Sequence, residues 1–144
     1  MRLFNQDTKV QALKRAPLFE RLSRKELVLL ARVPEDLEVP AGEVLCSEGQ
    51  TGQEFFVIVE GKSDVTSKGK RVATRGDGDF VGEIALLEDT KRTATVTAKT
   101  PLQLFVLTRQ DFRRLVNDNR SIEQKVMQAL AHRVVELSTD PTLA

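Results

Sequence analysis

Tryptophan and tyrosine are absent from this 144-residue chain, and cysteine and histidine occur once each. Without indole or phenol rings, the bases of single-stranded nucleic acid have little to stack on. Cys46 alone cannot close an internal disulfide or build a cysteine zinc site. His132 alone removes most His-rich metal chemistry and most His-based triads. A surplus of one charge sign is also missing. The 22 basic and 21 acidic residues leave a net charge of +1, so nothing marks a nucleic-acid polymer or an anionic membrane as the partner. No run of 18 or more apolar residues occurs, so no membrane span is expected. Met1–Thr8 is polar and lacks the apolar core of a signal peptide. With the lone thiol, this makes a reduced, cytoplasmic protein the simplest expectation.

What is present is an ordinary globular balance, 40% hydrophobic and 30% charged, at a length that can bury one core without staples. Residues 1–33 read as helices. Val10 and Leu13 share a turn, Pro17 interrupts the pattern, and Ser23 with Glu26 matches a capping box ahead of Leu27, Leu30 and Ala31. The first 32 residues carry eight basic and three acidic side chains, whereas residues 33–61 carry seven acidic ones and no Lys or Arg. These opposite signs would allow a contact between helices and barrel, although surface pairs contribute little.

From residue 34 to 108, short strand-like runs alternate with glycine turns. Strands are expected near 35–39, 43–47, 54–60, 64–67, 71–75, 93–98 and 102–107. Phe55-Phe56-Val57-Ile58-Val59 is apolar on both parities and should be buried on both faces. Close spacing of short strands predicts an antiparallel sandwich or barrel. Residues 109–137 return to helix. Thr108 caps a short helix carrying Phe112, Leu115 and Val116. Ser121 and Gln124 suggest a second capping box for a helix whose stripe is Ile122, Val126, Leu130 and Val134, with Leu137 beyond. Residues 138–144 read as a frayed tail. No linker is visible that would divide the chain, and no output domain is expected after residue 137, so the output would be a partner in trans unless the chain is a fragment of a longer protein. Cys46 reads as a packing residue in a strand, and His132 as a solvated helix residue off the stripe.

The stretch Gly76–Ala98 breaks the strand rhythm. In its closing strand Thr93, Thr95 and Thr97 alternate with Ala94, Val96 and Ala98, and Arg92 shares the inward parity of the small apolar residues. An inward guanidinium must find an anion, because an unpaired buried charge costs several kcal/mol, and its planar fork suits a carboxylate or a phosphate. Gly82-Glu83 precedes a short helical run from Ile84 to Leu87. The first amides of such a turn lack internal partners, and glycine lets a ligand approach the backbone. Glu83 repels phosphate but accepts from hydroxyl donors, so the pair fits a sugar phosphate. Parity and spacing leave a second reading open, in which Arg92 pairs with Glu83 or Asp89 and Gly82 only makes a turn.

Gly-Asp-Phe-Val-Gly-Glu-Ile-Ala-Leu-Leu followed by Arg-Thr-Ala-Thr-Val resembles the phosphate-binding cassette of cyclic nucleotide-binding domains. These occur in the catabolite activator protein, protein kinase regulatory subunits and cyclic nucleotide-gated channels. The likeness extends across nearly the whole chain, with Gly42, Gly49 and Gly61 falling where that family turns. It implies a mainly β fold with flanking helices: a double-stranded β-helix (jelly-roll) barrel with N-terminal helices and C-terminal lid helices. The resemblance assigns Glu83 to the ribose 2′-hydroxyl and Arg92 to the cyclic phosphate. The amides of Ala85, Thr93 and Ala94 would hold phosphate oxygens. Gly82 would allow close approach to the ribose, and Val81 would pack near sugar or base. Ile84, between them in the cassette, completes the expected ligand-binding set. Val81 stands where many members have an aromatic, and Lys91 where many have proline; neither position supplies a key charge.

The function this implies is a regulatory sensor that binds a cyclic nucleotide, cAMP ahead of cGMP, and signals to a protein partner or effector domain in trans. Thr93 keeps cGMP in contention, because a hydroxyl there can bond a syn guanine in this family. The last helix would be a mobile lid or a homodimer seam, or would simply cover the barrel. No cofactor, metal, nucleic acid or membrane span is expected. Two other classes compete: an interaction domain of the same fold with no nucleotide, and an enzyme. Against the first stand Glu83 and Arg92 together. Against the second, one histidine cannot build a cupin metal site, and Glu83 with Asp89 as an acid–base pair has no substrate pocket to serve.

Overall fold

The computed structural model describes residues 4–139, with side chains through residue 132. Two helices open the chain, α1 (Gln6–Lys14) and α2 (Arg24–Ala31), separated by a 3-10 turn at Pro17–Phe19. Asn5 caps α1 by accepting from the Thr8 amide at 2.8 Å. The capping box of α2 is formed in both directions: Glu26 N donates to Ser23 Oγ at 3.2 Å, and Ser23 N donates to Glu26 Oε1 at 2.8 Å. Ten strands follow: β1 (Glu35–Val39), β2 (Val44–Cys46), β3 (Thr51–Gly52), β4 (Glu54–Glu60), β5 (Ser63–Ser67), β6 (Lys70–Arg75), β7 (Phe80–Val81), β8 (Thr90–Lys91), β9 (Thr95–Ala98) and β10 (Leu102–Thr108). Helices α3 (Arg109–Asp118) and α4 (Arg120–Thr139) complete the described chain.

The strands form two antiparallel four-stranded sheets, ordered β1-β10-β4-β7 and β2-β9-β5-β6, with β3 and β8 as a separate short pair. This is the mainly β jelly-roll architecture with flanking helices that the sequence implies. The apolar run of β4 explains the layering. Phe56 and Ile58 point between the sheets, where they meet Ala98, Leu102 and Leu104. Phe55 and Val57 point to the opposite face and join a larger cluster with Leu13, Phe19, Leu30, Phe112 and Ile122 from the helices. One strand thus serves two cores through its two-residue period. Phe19 lies against Phe55 at 5.8 Å between ring centroids and against Phe112 at 6.2 Å, so one ring joins both helical ends of the chain to the sheet. Truncating a ring so placed costs about 3–5 kcal/mol, more than any exposed ion pair contributes.

Three local expectations need correction. The strand expected over 93–98 begins only at Thr95, because the Arg92 amide and carbonyl bond Gln50 and Gly49 and the chain bends at Thr93 and Ala94. Helix α4 starts at Arg120, after the single residue Asn119, so Ser121 lies inside it and donates to Glu26 Oε2 instead of capping. Ser138 and Thr139 are helical rather than a frayed tail; residues 140–144, with the side chains of Val134 and Leu137, lie outside the described residues. The short pairs involving β3, β7 and β8 had no sequence signal, being two residues each. Gly42, Gly49 and Gly61 take left-handed φ at their turns as expected, and His132 is exposed. The stripe of α4 buries Ile122, Val126 and Ala129 against the helical core.

The contact between basic helices and acidic barrel is Lys9–Asp36, at 2.5 Å, and it is buried rather than on the surface. A second polar tie joins α2 to α4. Glu26 Oε1 accepts from Lys125 Nζ at 2.6 Å, beside the bond from Ser121. Burial works to raise the Glu26 carboxyl, but the hydrogen bonds from Lys125, Ser121 and Ser23 outweigh it and hold the group down at about 2. A carboxyl depressed on folding contributes stability that is fully present above its ordinary value of 4.5 and is lost as pH falls toward 2. Glu26→Gln should therefore be less stable than the parent at neutral pH by roughly 1–2 kcal/mol, the worth of hydrogen bonds to a partly exposed charge. The gap should close between pH 4.5 and 2. Urea denaturation across that range measures it, and a gap independent of pH contradicts the assignment.

Candidate ligand-binding site

Arg92 leaves β8 with its backbone pinned on both sides. Its amide donates to Gln50 O and its carbonyl accepts from Gly49 N, both at 2.8 Å. The side chain turns inward as expected, although the bend at Thr93 and Ala94 separates Arg92 from β9, so strand parity is not what directs it. A Cβ built on Gly52 would lie 2.0 Å from Arg92 Nε, and one on Gly82 would lie 1.9 Å from Nη1. The guanidinium therefore occupies a slot between two bare backbones that any side chain would close. Nη2 donates to the Glu54 carbonyl at 2.6 Å, while Nε is buried without a hydrogen-bond partner. Arg92 takes part in no ion pair among the described residues. Asp89, one of the carboxylates the sequence offered it, is held instead by Arg109.

Gly82 supplies the second wall. Its φ of 80° and ψ of 32° are left-handed, and it opens a 3-10 turn over Glu83–Leu86. Glu83 is 4% exposed at the start of that turn, next to the glycine that abuts Arg92. Ala85 and Leu86 are buried and Ile84 is half-buried. The Ala85 amide donates to Gly82 O at 3.0 Å. An anion at this amide must share the hydrogen or draw it away from the turn. Val81, opposite Phe56 in the β4–β7 pair, packs into the cluster between the sheets. Thr93 is exposed at the rim, and Ala94, half-buried, accepts weakly from Cys46 Sγ at 3.9 Å. Burial pushes the Cys46 thiol up, while the nearby Arg92 charge pulls it back.

Two residues that matter here were not singled out from the sequence. Gly52 carries no left-handed φ and no motif; only the approach of Arg92 shows why it lacks a side chain. Arg109 is 6% exposed and grips the cassette from below. Its Nε donates to Ala85 O at 2.7 Å, and Nη2 donates to both Gly52 O and Glu88 O at 3.0 Å. Nη1 bonds Asp89 Oδ1. A signal existed: Arg109 is the first residue of α3, where the helix dipole disfavours a cation. A cavity of about 280 Å³ opens between the 3-10 turn and the last helices, lined by Leu86, Leu87, Phe112, Val116, Val126 and Met127 among others. Among the described residues no group of three or more His, Cys, Asp and Glu could hold a metal ion. No helix there is long and apolar enough to cross a membrane.

Comparison with known proteins identifies the family to which the chain belongs. The family model described as the cyclic nucleotide-binding domain matches residues 36–119. A cAMP-dependent protein kinase regulatory subunit of Yarrowia lipolytica is 40% identical over 106 residues, covering 72% of this chain and 28% of the relative. A cyclic nucleotide-gated potassium channel of Rhizobium etli is 34% identical over 123 residues, covering 85% of this chain and 34% of the channel. The chain thus spans about a third or less of these relatives. Among solved structures, the N-terminal domain of a transcriptional regulator from Streptomyces coelicolor superposes with a TM-score of 0.78 at 28% identity, covering 87% of this chain and 93% of that one.

The left-handed wall of the slot gives a direct test. Gly82→Ala should lower stability by about 1–2 kcal/mol from backbone strain alone, before the displacement of Arg92 is counted. Chemical denaturation measures the loss, and a variant as stable as the parent contradicts the conformation assigned to Gly82.

Proposed function

Because the chain belongs to the cyclic nucleotide-binding domain family, we propose that it binds a cyclic nucleotide in the slot of Arg92 and the turn of Glu83, as the sensing part of a regulatory protein. The observation that carries this reading is the inward guanidinium itself. Arg92 is half-buried, bonded to a backbone carbonyl rather than a carboxylate, and keeps a buried donor unused. A phosphate would satisfy that fork with two parallel charge-assisted bonds. The left-handed Gly82 lets the sugar ring approach the backbone, and the Glu83 carboxylate at the same corner accepts from the ribose 2′-hydroxyl. The Ala85, Thr93 and Ala94 amides complete the phosphate contacts, the first of them released from Gly82 O. Val81 and Ile84 border the sugar.

Adenine is the base we favour. The kinase regulatory relative is named for its dependence on cAMP, and Thr93 at the exposed rim gives cGMP its competing contact. The bound nucleotide would bias the position of α3 and α4, and a partner or effector would read that bias in trans. A ligand shifts such an equilibrium only by binding one arrangement better. The regulatory role places the chain outside catalysis.

Titration calorimetry with cAMP, cGMP and linear AMP tests the reading. A cyclic form should bind and the linear one, with its extra charge and no ring, should not. Arg92→Ala should weaken binding by about 2–5 kcal/mol, the cost of stripping one partner from a buried charge pair. Unchanged affinity in the folded variant would remove Arg92 from the site. Gly52→Ala, which pushes Nε from its slot, should weaken binding in the same direction. Glu83→Ala should abolish the advantage of cAMP over its 2′-deoxy analogue; full discrimination retained by that variant would overturn the role of Glu83.

A further inference from the structure

Strand β6 ends the β2-β9-β5-β6 sheet and pairs only with β5. No turn, loop or cap bond among the described residues reaches the backbone of residues 70–75 from its other side. Side chains take two of its carbonyls: Ser63 Oγ donates to Arg75 O at 3.2 Å, and Arg75 Nη1 donates to Thr74 O at 3.1 Å. The groups that alternate residues turn away from β5 face no strand. The strand is six residues long, a common length for a full strand. Lys70, Arg71, Val72 and Thr74 are exposed. Val72, at 61%, is the most open of the exposed large apolar side chains, ahead of Met127 at 50% and Val44 at 49%. Residues 65–76 hold four cations and no carboxylate. Asp64 on β5 approaches Arg71 only to 3.9 Å, and Glu48 accepts from the Lys68 amide at the hairpin tip. Lys70 and Arg75 take part in no ion pair among the described residues.

We propose that the free edge of β6 is a docking strand for an extended acidic segment of a partner protein, which joins the sheet as its fifth strand. Main-chain bonds to residues 70–75 supply the affinity, and carboxylates opposite Lys70, Arg71 and Arg75 supply the sign and the register. Basic side chains on an edge, and a step in its register, keep it from pairing with its own kind. Here they select by charge: a second β6 is repelled, and an acidic strand is attracted. The step also frees Val72. Val65 pairs with Ala73 and Thr66 with Arg71, so Val72 has no residue opposite it on β5 and offers its side chain to an apolar neighbour. The chain has an acidic edge of its own, β1 with Glu35, Asp36 and Glu38 in the other sheet. Asp36, however, is buried and committed to Lys9 and to the Phe4 amide. A second copy therefore offers β6 fewer carboxylates than an unfolded acidic segment does. The edge shares no residue with the Arg92 slot, and the inference stands whatever fills that slot.

Two end-blocked heptapeptides added to the full chain test this: Glu-Val-Glu-Thr-Glu-Val-Glu, and the same peptide with Lys in place of each Glu. Binding and residue-resolved hydrogen exchange are both read by NMR. The glutamate peptide should bind saturably, more weakly as salt is raised, and should protect alternate amides within residues 70–75. The double variant Lys70→Glu, Arg71→Glu should bind it about tenfold more weakly, because exposed attractions become repulsions. Val72→Glu places a carboxylate at the most open position and should weaken the same peptide, which decides the matter if the double variant does not fold. Failure of the glutamate peptide to bind the parent overturns the proposal. Equal binding of the lysine peptide, or unchanged affinity in the folded variants, does the same. Binding without protection of residues 70–75 reduces the contact to charge attraction and overturns strand addition. Sedimentation of the chain alone completes the test: self-association that protects residues 35–39 together with 70–75 makes a second copy the occupant, and the partner segment is then refuted.

Discussion

A guanidinium can be turned into the wall of a barrel only where the chain leaves it space and an acceptor. The slot between Gly52 and Gly82 provides both, with the Glu54 carbonyl as acceptor. Much of the local architecture follows from this placement. The Arg92 backbone pairs with Gly49 and Gln50 rather than along β9, so β9 begins late. Gly82 is bare because it has no Cβ, which leaves room for Nη1 of Arg92, and its left-handed conformation opens the 3-10 turn that buries Glu83, Ala85 and Leu86. The cation, the glycines and the turn form one unit.

That unit would be loose if it depended on its own hydrogen bonds, because a four-residue 3-10 turn has few. Arg109 compensates from the helical side by donating to the carbonyls of Ala85, Gly52 and Glu88. Leu86 compensates by inserting into the cluster that Phe19, Phe55 and Phe112 share. The helices are therefore not a shell laid over a finished barrel. Phe19 from the N-terminal end and Phe112 from the C-terminal end meet on the face of β4 and β10 that carries Phe55 and Phe105, and Glu26 ties α2 to Ser121 and Lys125 of α4. A change in the cassette meets both ends of the chain at that face.

The legible part of the site was its chemistry. Alternation over 92–98 pointed the guanidinium inward, which is where it lies even though β9 starts only at Thr95 and the chain bends between, and Gly82-Glu83 showed an opening turn because glycine tolerates what other residues do not. The alternative partners for Arg92 could not be separated from the sequence. Asp89 is three residues away, and only its capture by Arg109, seventeen residues further along than Arg92, removes it. Gly52 had no signal of its own in the sequence, although its bareness in an extended backbone serves a residue forty positions later. Lys9 and Asp36 belong to the basic and acidic stretches, whose contact was expected only as a surface pair of little worth, although they bury each other.

Local rules account for what the sequence determined unaided: the helix–barrel–helix order, the capping of α2 and α3, the two-faced β4, and the identity of the inward cation. Each depends on a spacing of two to four residues, over which backbone geometry repeats without help from the rest of the chain. The tertiary structure alone decided which carboxylate Arg92 escapes, which carbonyls Arg109 joins, why Gly52 has no side chain, and which way the hydroxyl of Ser121 turns. Those outcomes depend on which distant backbones the packed core brings within hydrogen-bond reach, and neither propensity nor periodicity encodes a distance across the fold.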